Sequence, residues 1–138
     1  MVKIEIIKVL KSTNETLDST NFIAYKVNDY YRESVEDICS EKTWNKIFSL
    51  PLHHDDLFLV TFQRSGTMLT QKILLELDGV QTSSRDDIFK VFPFLEFKHK
   101  GKLGVEIIKN IESPRRIKTH LNFGLMPKEF LIKKPKLF

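Results

Sequence analysis

The clearest pattern of apolar and polar positions lies in the middle of the chain. An unbroken apolar run at 57–62 precedes a polar turn at 63–67 and an amphipathic segment at 68–77. A continuous apolar run is typical of a strand covered on both faces, as in α/β proteins. In the amphipathic segment, large apolar residues recur every four positions, which predicts a helix with one apolar face. These residues are Leu69, Ile73 and Leu77.

The first half of the chain has weaker periodicity. Alternating apolar residues predict a short strand near the start, and residues 14–21 are rich in turn formers. The segment 33–47 is consistent with a helix, followed by the polar turn 53–56. The strand would use Ile4, Ile6 and Val9, and the helix would bury Val35, Ile38, Ile47 and Phe48.

The C-terminal third alternates helix and strand. A helix is predicted over Leu103–Ile111, ended by Ser113-Pro114, and a strand over Arg116–His120. A helical turn at Pro127–Leu131 leads to Pro135–Phe138, where another strand begins. This alternation favours an α/β fold in which a parallel sheet is joined by right-handed crossovers.

Composition adds a preference for anions and excludes several classes. With 138 residues, 41% of them hydrophobic, the chain can form one globular core. The 22 Lys+Arg against 18 Asp+Glu give a net charge of +4 and a pI near 9.1. This excess favours anionic ligands but lacks the charge density and basic-aromatic runs of a nucleic-acid binder.

Single residues and short stretches suggest a cytoplasmic protein without a metal. Cys39 is the one cysteine and cannot form an internal disulfide. No stretch resembles a signal peptide or a membrane span, so we expect no membrane partner. His53, His54 and His99 show no metal-ligand spacing, and we assign no metal.

The turn 63–67 carries the chemistry that the sequence predicts. Backbone N–H groups in the first turn of a helix have no acceptor within the helix and attract anions. Here they would be joined by the guanidinium of Arg64 and by the hydroxyls of Ser65 and Thr67, while Gly66 would allow close backbone approach. The usual Gly-Lys-Ser/Thr ending of a P-loop is absent. The turn is therefore a P-loop-like candidate site for a phosphate-sized anion.

Several segments, in order, resemble the cytosolic sulfotransferases. The loop Thr61–Leu69 is in register with the family's Thr-Tyr-Pro-Lys-Ser-Gly-Thr-Thr-Trp, and Ser113–Leu121 contains the Lys-Thr-His-Leu strand end in which that family carries its catalytic histidine. Shorter matches are Trp44–Ile47, Asp55–Leu57, Pro93–Phe97 and Met126–Lys128. The resemblance covers roughly residues 40–138.

The resemblance implies transfer of a sulfuryl group from 3′-phosphoadenosine 5′-phosphosulfate to a hydroxyl or amine of a small acceptor. His120 would be the general base, assisted by Lys118 and Arg64. Residues Arg64, Ser65, Gly66, Thr67, Met68 and Leu69 would bind the donor. Phe94 and Phe97 would line the acceptor site together with Lys118 and His120; ordinary core packing is an equal alternative for the two phenylalanines.

The chain also departs from the family pattern. Gln63 and Asn122 replace prolines, Arg64 replaces a lysine, and Leu69 stands where the family's tryptophan stacks on adenine. The family's Arg-Asn-Pro-Lys-Asp and Arg-Lys-Gly segments, which hold the 3′-phosphate and close over the donor, have no counterpart. We therefore expect one partial sulfotransferase domain over 1–138, truncated before the 3′-phosphate-binding strand. In it, 1–40 is poorly matched and 57–138 begins the donor-binding core.

Two other functions remain open at this stage. The chain could be a catalytically inactive binding or interaction module that associates with itself or with a full-length relative through an open sheet edge. An unrelated phosphate-binding protein, such as a small nucleotide kinase, is disfavoured because no magnesium-holding Asp follows a second strand.

Overall fold

Two sheets, one parallel and one antiparallel, form the framework of the protein. The structure, a computed structural model, describes residues 2–10, 22–35 and 40–138. The strands are β1 (Ile4–Leu10), β2 (Phe22–Val27), β3 (Tyr30–Val35), β4 (Leu57–Val60), β5 (Lys98–His99), β6 (Lys102–Leu103), β7 (Arg116–Thr119) and β8 (Lys136–Leu137). The helices are α1 (Glu41–Phe48), α2 (Thr67–Leu77), α3 (Arg85–Val91), α4 (Gly104–Lys109) and α5 (Phe130–Lys133), with a 3₁₀ turn at Phe123–Leu125.

The parallel sheet has the order β7-β4-β8 and confirms the predicted α/β fold class. On β4, Phe58 belongs to the main hydrophobic core and Leu59 to a second core cluster, and each is at most 1% exposed. The strand is therefore covered on both faces, as its apolar run predicted. It ends at Val60, two residues earlier than expected, and the Phe62 side chain is 87% exposed.

The predicted helix over 33–47 is wrong in its first part. Tyr30–Val35 is strand β3, which pairs with β2 to complete the antiparallel sheet β1-β2-β3. The helix begins only at Glu41, because the Ser40 hydroxyl caps it by accepting a hydrogen bond from Thr43 N at 3.1 Å. Ile47 and Phe48 are buried as predicted, and Val35 lies in the strand. Ile38, Cys39 and the turn-rich segment 14–21 lie outside the described residues.

Helix α2 has the predicted length but the opposite face inward. Leu69, Ile73 and Leu77 are 50–78% exposed, so the predicted apolar face is wrong. The buried positions are instead Thr67, Gln71 and Leu75. The physical reason lies at the helix start, where a hydrogen bond between the hydroxyls of Thr61 and Thr67 fixes the rotation of the helix about its axis. Gln71, one turn further, then lies inside and donates from Nε2 to the Phe92 carbonyl at 3.1 Å.

The C-terminal elements follow the predicted order. Helix α4, strand β7 and strand β8 are present with slightly shorter bounds, and the predicted helical turn at 127–131 is α5, three residues later. Helix α3 and the hairpin of β5 and β6 were not predicted. Ser84 and Asp87 begin α3 with a capping box, a signal that the sequence does contain. Within the described ranges no helix is both long and apolar enough to cross a bilayer.

Candidate active site

The connection from β4 to α2 is a tight turn with two residues in the left-handed conformation. Arg64 has φ 62° and Gly66 has φ 83°. The Ser65 side chain stabilises the turn, because its Oγ donates to the Phe62 carbonyl at 2.6 Å. A non-glycine residue in this conformation is strained, and such strain is concentrated at functional sites. The turn leaves the Arg64 side chain exposed.

The N-terminus of α2 is open toward solvent. Its N-cap residue, Gly66, provides no capping side chain, and the first helical hydrogen bond runs from Thr70 N to Gly66 O at 3.0 Å. The N–H groups of Thr67, Met68 and Leu69 therefore precede the first helical bond. No acidic residue lies in the first turn, and a Cβ placed on Gly66 would meet nothing within 4 Å. This arrangement is an uncapped, positively polarised helix end with room for an anion.

The end of β7 lies beside this turn. His120 Nδ1 is 2.6 Å from the Thr61 carbonyl oxygen and 3.2 Å from Thr61 Oγ1. Thr61 Oγ1 in turn lies 2.7 Å from the hydroxyl of Thr67, the first residue of α2. A continuous hydrogen-bonded path therefore joins the imidazole to the start of the anion-binding turn. The two features that the sequence placed far apart are adjacent because β4 and β7 are parallel neighbours.

The contact with Thr61 fixes the tautomer of His120. A carbonyl oxygen only accepts hydrogen bonds, so the proton of the neutral imidazole lies on Nδ1. The lone pair of the ring is therefore on Nε2, the nitrogen on the far side from the backbone. A neutral imidazole oriented in this way can accept a proton from a reacting group.

Lys118 is buried on the same strand, two residues before His120. Its Nζ lies 4.2 Å from the centre of the Phe94 ring, and the His120 ring meets the same phenylalanine edge-on at 4.9 Å. Burial lowers the pKa of the Lys118 ammonium; the nearby Glu96 carboxylate raises it, and Arg85 lowers it further. The strand alternation that puts Lys118 and His120 on one side is thus matched by their shared contact with Phe94.

The predicted aromatic pair is adjacent to these groups. Phe94 and Phe97 stack at 5.5 Å with an interplanar angle of 14°, and Phe97 is 39% exposed. Leu69, at the start of α2, is 66% exposed, whereas the Met68 side chain packs against the second core cluster. Of the predicted donor-binding residues, Met68 therefore offers chiefly its backbone N–H, with its partly buried side chain beside the turn.

Glu96 and Thr61 are two residues of the site that the sequence did not single out. The Glu96 carboxylate accepts from His120 N at 2.7 Å and from the Thr119 hydroxyl at 2.8 Å, and its residue is 7% exposed. These bonds hold the end of β7 against the segment that carries Phe94. A signal existed, because a buried acid within the apolar segment 93–97 requires a partner.

A second group of polar side chains lies away from this site. His53, Asp55 and Asp56 have possible ligand atoms within 4.8 Å of one another, a proximity that the sequence spacing did not show. Both Asp56 oxygens accept from the guanidinium of Arg115, at 2.8 and 2.6 Å, and the Ser113 hydroxyl donates to Asp55. The grouping is therefore held together by hydrogen bonds within the protein.

Comparison with known proteins identifies the family of this fold. The family model described as "Sulfotransferase domain" matches residues 54–138. The chain belongs to the sulfotransferase family. It is 41% identical over 87 residues to dog (Canis lupus familiaris) Sulfotransferase 1A1, a match that covers 60% of this chain and 30% of that protein. Human (Homo sapiens) Sulfotransferase 1E1 is 32% identical over 119 residues, covering 79% and 40% respectively.

Solved structures confirm the sulfotransferase-like fold over nearly all of the chain. Retinol dehydratase in complex with retinol and PAP superposes with a TM-score of 0.65 and 16% identity, covering 99% of this chain and 50% of that one. Retinol dehydratase with androsterone and PAP gives a TM-score of 0.61 and 18% identity, covering 86% and 43%. The chain thus spans half or less of the relatives that it matches.

Proposed function

We propose that this protein binds 3′-phosphoadenosine 5′-phosphosulfate at the turn between β4 and α2 and transfers its sulfuryl group to a hydroxyl or amine. The observation that carries the proposal is the hydrogen-bonded contact between His120 Nδ1 and Thr61, which sets a base of fixed tautomer beside an open anion site. Family membership supports the reaction class, and neighbours of the same fold have PAP bound.

The turn fits the 5′-phosphosulfate end of the donor. Its uncapped helical N–H groups and the exposed guanidinium of Arg64 are donors suited to sulfate and phosphate oxygens, and the open space at Gly66 leaves room for them. When bound, the donor would supply the sulfuryl group, and its 5′-phosphate would leave as part of the nucleotide product. Arg64 and the helix N-terminus stabilise the negative charge that develops on the leaving oxygen.

The remaining residues orient and deprotonate the acceptor. His120 Nε2 takes the proton of the acceptor O–H or N–H as the new bond to sulfur forms and the bond from sulfur to the leaving oxygen breaks. Lys118 places its positive charge on the same side of β7, where the sulfuryl oxygens gain charge. Glu96 keeps His120 in place through its backbone N–H. The stacked Phe94 and Phe97 offer an apolar surface to an acceptor ring.

Calorimetric titration with adenosine 3′,5′-bisphosphate tests the donor site. We expect binding by the full chain, and a loss of affinity of about 10-fold or more in Arg64→Gln, because a charge-assisted hydrogen bond is removed. Lys109→Gln, which removes an exposed lysine at the end of α4, is the charge-matched control and should bind as wild type. Absence of binding at millimolar nucleotide would exclude the donor site.

Transfer of radiolabelled sulfate to a panel of phenols and amines tests the base. His120→Gln should lose at least about 100-fold in rate, within the range typical of general-base removal, while still binding the bisphosphate. A variant that keeps the wild-type rate would refute the role of His120.

A second candidate function is a non-catalytic module that associates with a relative through the edge of its parallel sheet. The supporting observation is that β8 carries Leu137 and precedes Phe138, which are 51% and 62% exposed. Sedimentation velocity of the chain, alone and mixed with a full-length sulfotransferase, tests this candidate. Leu137→Lys should reduce any mixed complex, because it places a charge on the edge. Sulfate transfer by the isolated chain would argue against this function.

A further inference from the structure

A cavity of about 560 Å³ lies outside the proposed active site. It is bounded by the β2–β3 turn, by the end of α1 and by the segment that runs from the 3₁₀ turn into α5. Cavities of a few hundred Å³ are the usual size of small-molecule sites. Its lining includes none of the residues proposed above to bind donor or acceptor. A ligand here would therefore be distinct from both reactants.

The floor of the cavity is apolar and well packed. Phe48, Met126 and Phe130 line it, and each is at most 8% exposed. The Phe130 ring meets Phe58 of β4 edge-on at 5.0 Å and Phe123 edge-on at 5.3 Å. These ring contacts pack Phe130 against its neighbours, and the buried side chains give the cavity an apolar floor.

The exposed lining of the cavity combines the apolar Phe123 and Leu131 with polar groups and one positive charge. Asn28, Asn45 and Ser49 provide amide and hydroxyl groups, and Lys128 is the one charged residue among the described residues that line it. The backbone of Lys128 is fixed by a hydrogen bond from its N–H to the Phe48 carbonyl at 3.0 Å. No ion pair joins Lys128 to an acid within the described part of the chain. Its ammonium is thus available to an anionic group at the mouth.

From this combination, we infer that the cavity is a second ligand site for a small aromatic molecule with a single anionic group. The apolar floor takes the ring system, Lys128 takes the charge, and the two asparagines accept or donate hydrogen bonds around it. Since the lining segment begins three residues after His120, an occupant would contact the chain that follows the proposed base. The inference does not depend on the proposed sulfuryl transfer.

A matched pair of fluorescent probes tests the charge preference. 8-Anilinonaphthalene-1-sulfonate is aromatic and monoanionic, and N-phenyl-1-naphthylamine is a neutral counterpart of similar shape. We expect Lys128→Glu to weaken binding of the anionic probe by about 10-fold or more and to change the neutral probe little, because only the former uses the ammonium. Lys109→Glu, with the same charge change on α4, should leave both affinities unchanged.

The methionine methyl groups report which site is occupied. The chain has three methionines; Met126 lines the cavity, and Met68 lies at the start of α2 beside the donor turn. In the ¹³C-methyl-labelled full chain, with the signals assigned from Met126→Leu and Met68→Leu, the anionic probe should shift Met126 and leave Met68 in place. If the donor site is correct, adenosine 3′,5′-bisphosphate should shift the Met68 signal and leave the Met126 signal in place.

Three results would overturn the second site. The Met126 signal could stay unmoved at saturating anionic probe, Lys128→Glu could bind that probe as wild type does, or Lys109→Glu could lose as much affinity as Lys128→Glu. A failure of the nucleotide to shift Met68 would count against the donor site alone. The two proposals are therefore separable in one set of spectra.

Discussion

At the scale of single residues, two buried cations near β7 are held in opposite ways. Arg115 is 2% exposed and donates to both oxygens of Asp56, at 2.8 and 2.6 Å, and to the Pro51 carbonyl at 2.9 Å. Lys118, 7% exposed, lies over the Phe94 ring near Glu96. Burying a charge is costly unless it is paired. We therefore interpret Arg115 as a structural residue and Lys118 as a residue of the candidate active site.

Arg115→Met tests the structural role. It removes the cationic partner of the fully buried Asp56 carboxylate, which keeps the hydrogen bond from His53 N. We expect it to lower the free energy of unfolding by about 3–5 kcal/mol, as for other broken buried pairs. Urea denaturation measures the effect. The double variant Asp56→Asn/Arg115→Met should recover part of the loss. A single variant within about 0.5 kcal/mol of wild type, the range of ordinary surface changes, would contradict this interpretation.

Lys118→Met tests the chemical role through pH. Burial lowers the pKa of Lys118 below its ordinary 10.5, so between the lowered value and 10.5 the unfolded chain binds a proton that the folded chain does not. The contribution of Lys118 to stability therefore rises with pH across that window and is smallest below it. The stability advantage of Lys118→Met over wild type should accordingly shrink as pH rises toward 10.5. A difference that is independent of pH would be evidence against the depressed pKa.

At the scale of elements, α2 shows how a loop can override hydrophobic periodicity. Its apolar residues at four-residue spacing point outward, and the polar Gln71 is 1% exposed. The hydroxyl contact between Thr61 and Thr67 sets the phase of the helix at its first residue. A helix that begins in a functional turn is thus rotated by that turn rather than by its own apolar stripe.

Substitutions on the two faces of α2 test this rotation. Ile73→Gln should change the free energy of unfolding by less than about 0.5 kcal/mol, because the side chain is half exposed. Leu75→Ala should lower it by about 2–5 kcal/mol, because Leu75 is fully buried and its removal leaves a cavity. Thermal and urea unfolding of both variants would show the order. If Ile73→Gln lowered the free energy of unfolding more than Leu75→Ala, the buried face would be the one predicted from the sequence.

The contrast between local sequence signals and contacts with distant residues also explains which elements were predictable. Strands β4 and β7 and helices α2 and α4 carry local signals, and the fold class followed from them. Strand β3 was missed because Tyr30–Val35 pairs with β2 across a tight turn, a partner that periodicity alone does not indicate. The resemblance implied that the turn after β4 and His120 belong to one site, but it did not predict the contact between Thr61 and His120. The carbonyl contact that fixes the tautomer depends on the register of β4 and β7.

At the scale of the whole molecule, one aromatic contact joins the antiparallel sheet to the segment after the candidate base. Tyr30, the first residue of β3, lies directly over Gly124 in the 3₁₀ turn. A Cβ added to that glycine would lie 2.1 Å from the Tyr30 hydroxyl and 2.4–2.5 Å from two ring carbons. The absence of a side chain at 124 is therefore what allows the sheet to pack here.

Gly124→Ala should displace the Tyr30 ring and lower the free energy of unfolding by about 1–3 kcal/mol, as for other overpacked contacts. The cost should fall in the background of Tyr30→Ala, which removes the ring. A double-mutant cycle by urea denaturation gives the coupling energy between the two positions. Additive effects would mean that the two parts of the molecule do not meet at this point.

The order of the parallel sheet has a consequence for how the protein is made. Strand β4 is translated before both of its neighbours in the sheet, because β7 begins at Arg116 and β8 at Lys136. Until Arg116 has been added, 56 residues after Val60, the hydrogen-bonding edges of β4 have no native strand partner. Sheets that depend on such distant pairings form slowly, and their partly folded intermediates expose apolar surface that promotes aggregation. We therefore expect nascent chains that end before Arg116 to aggregate more readily than chains that include β7.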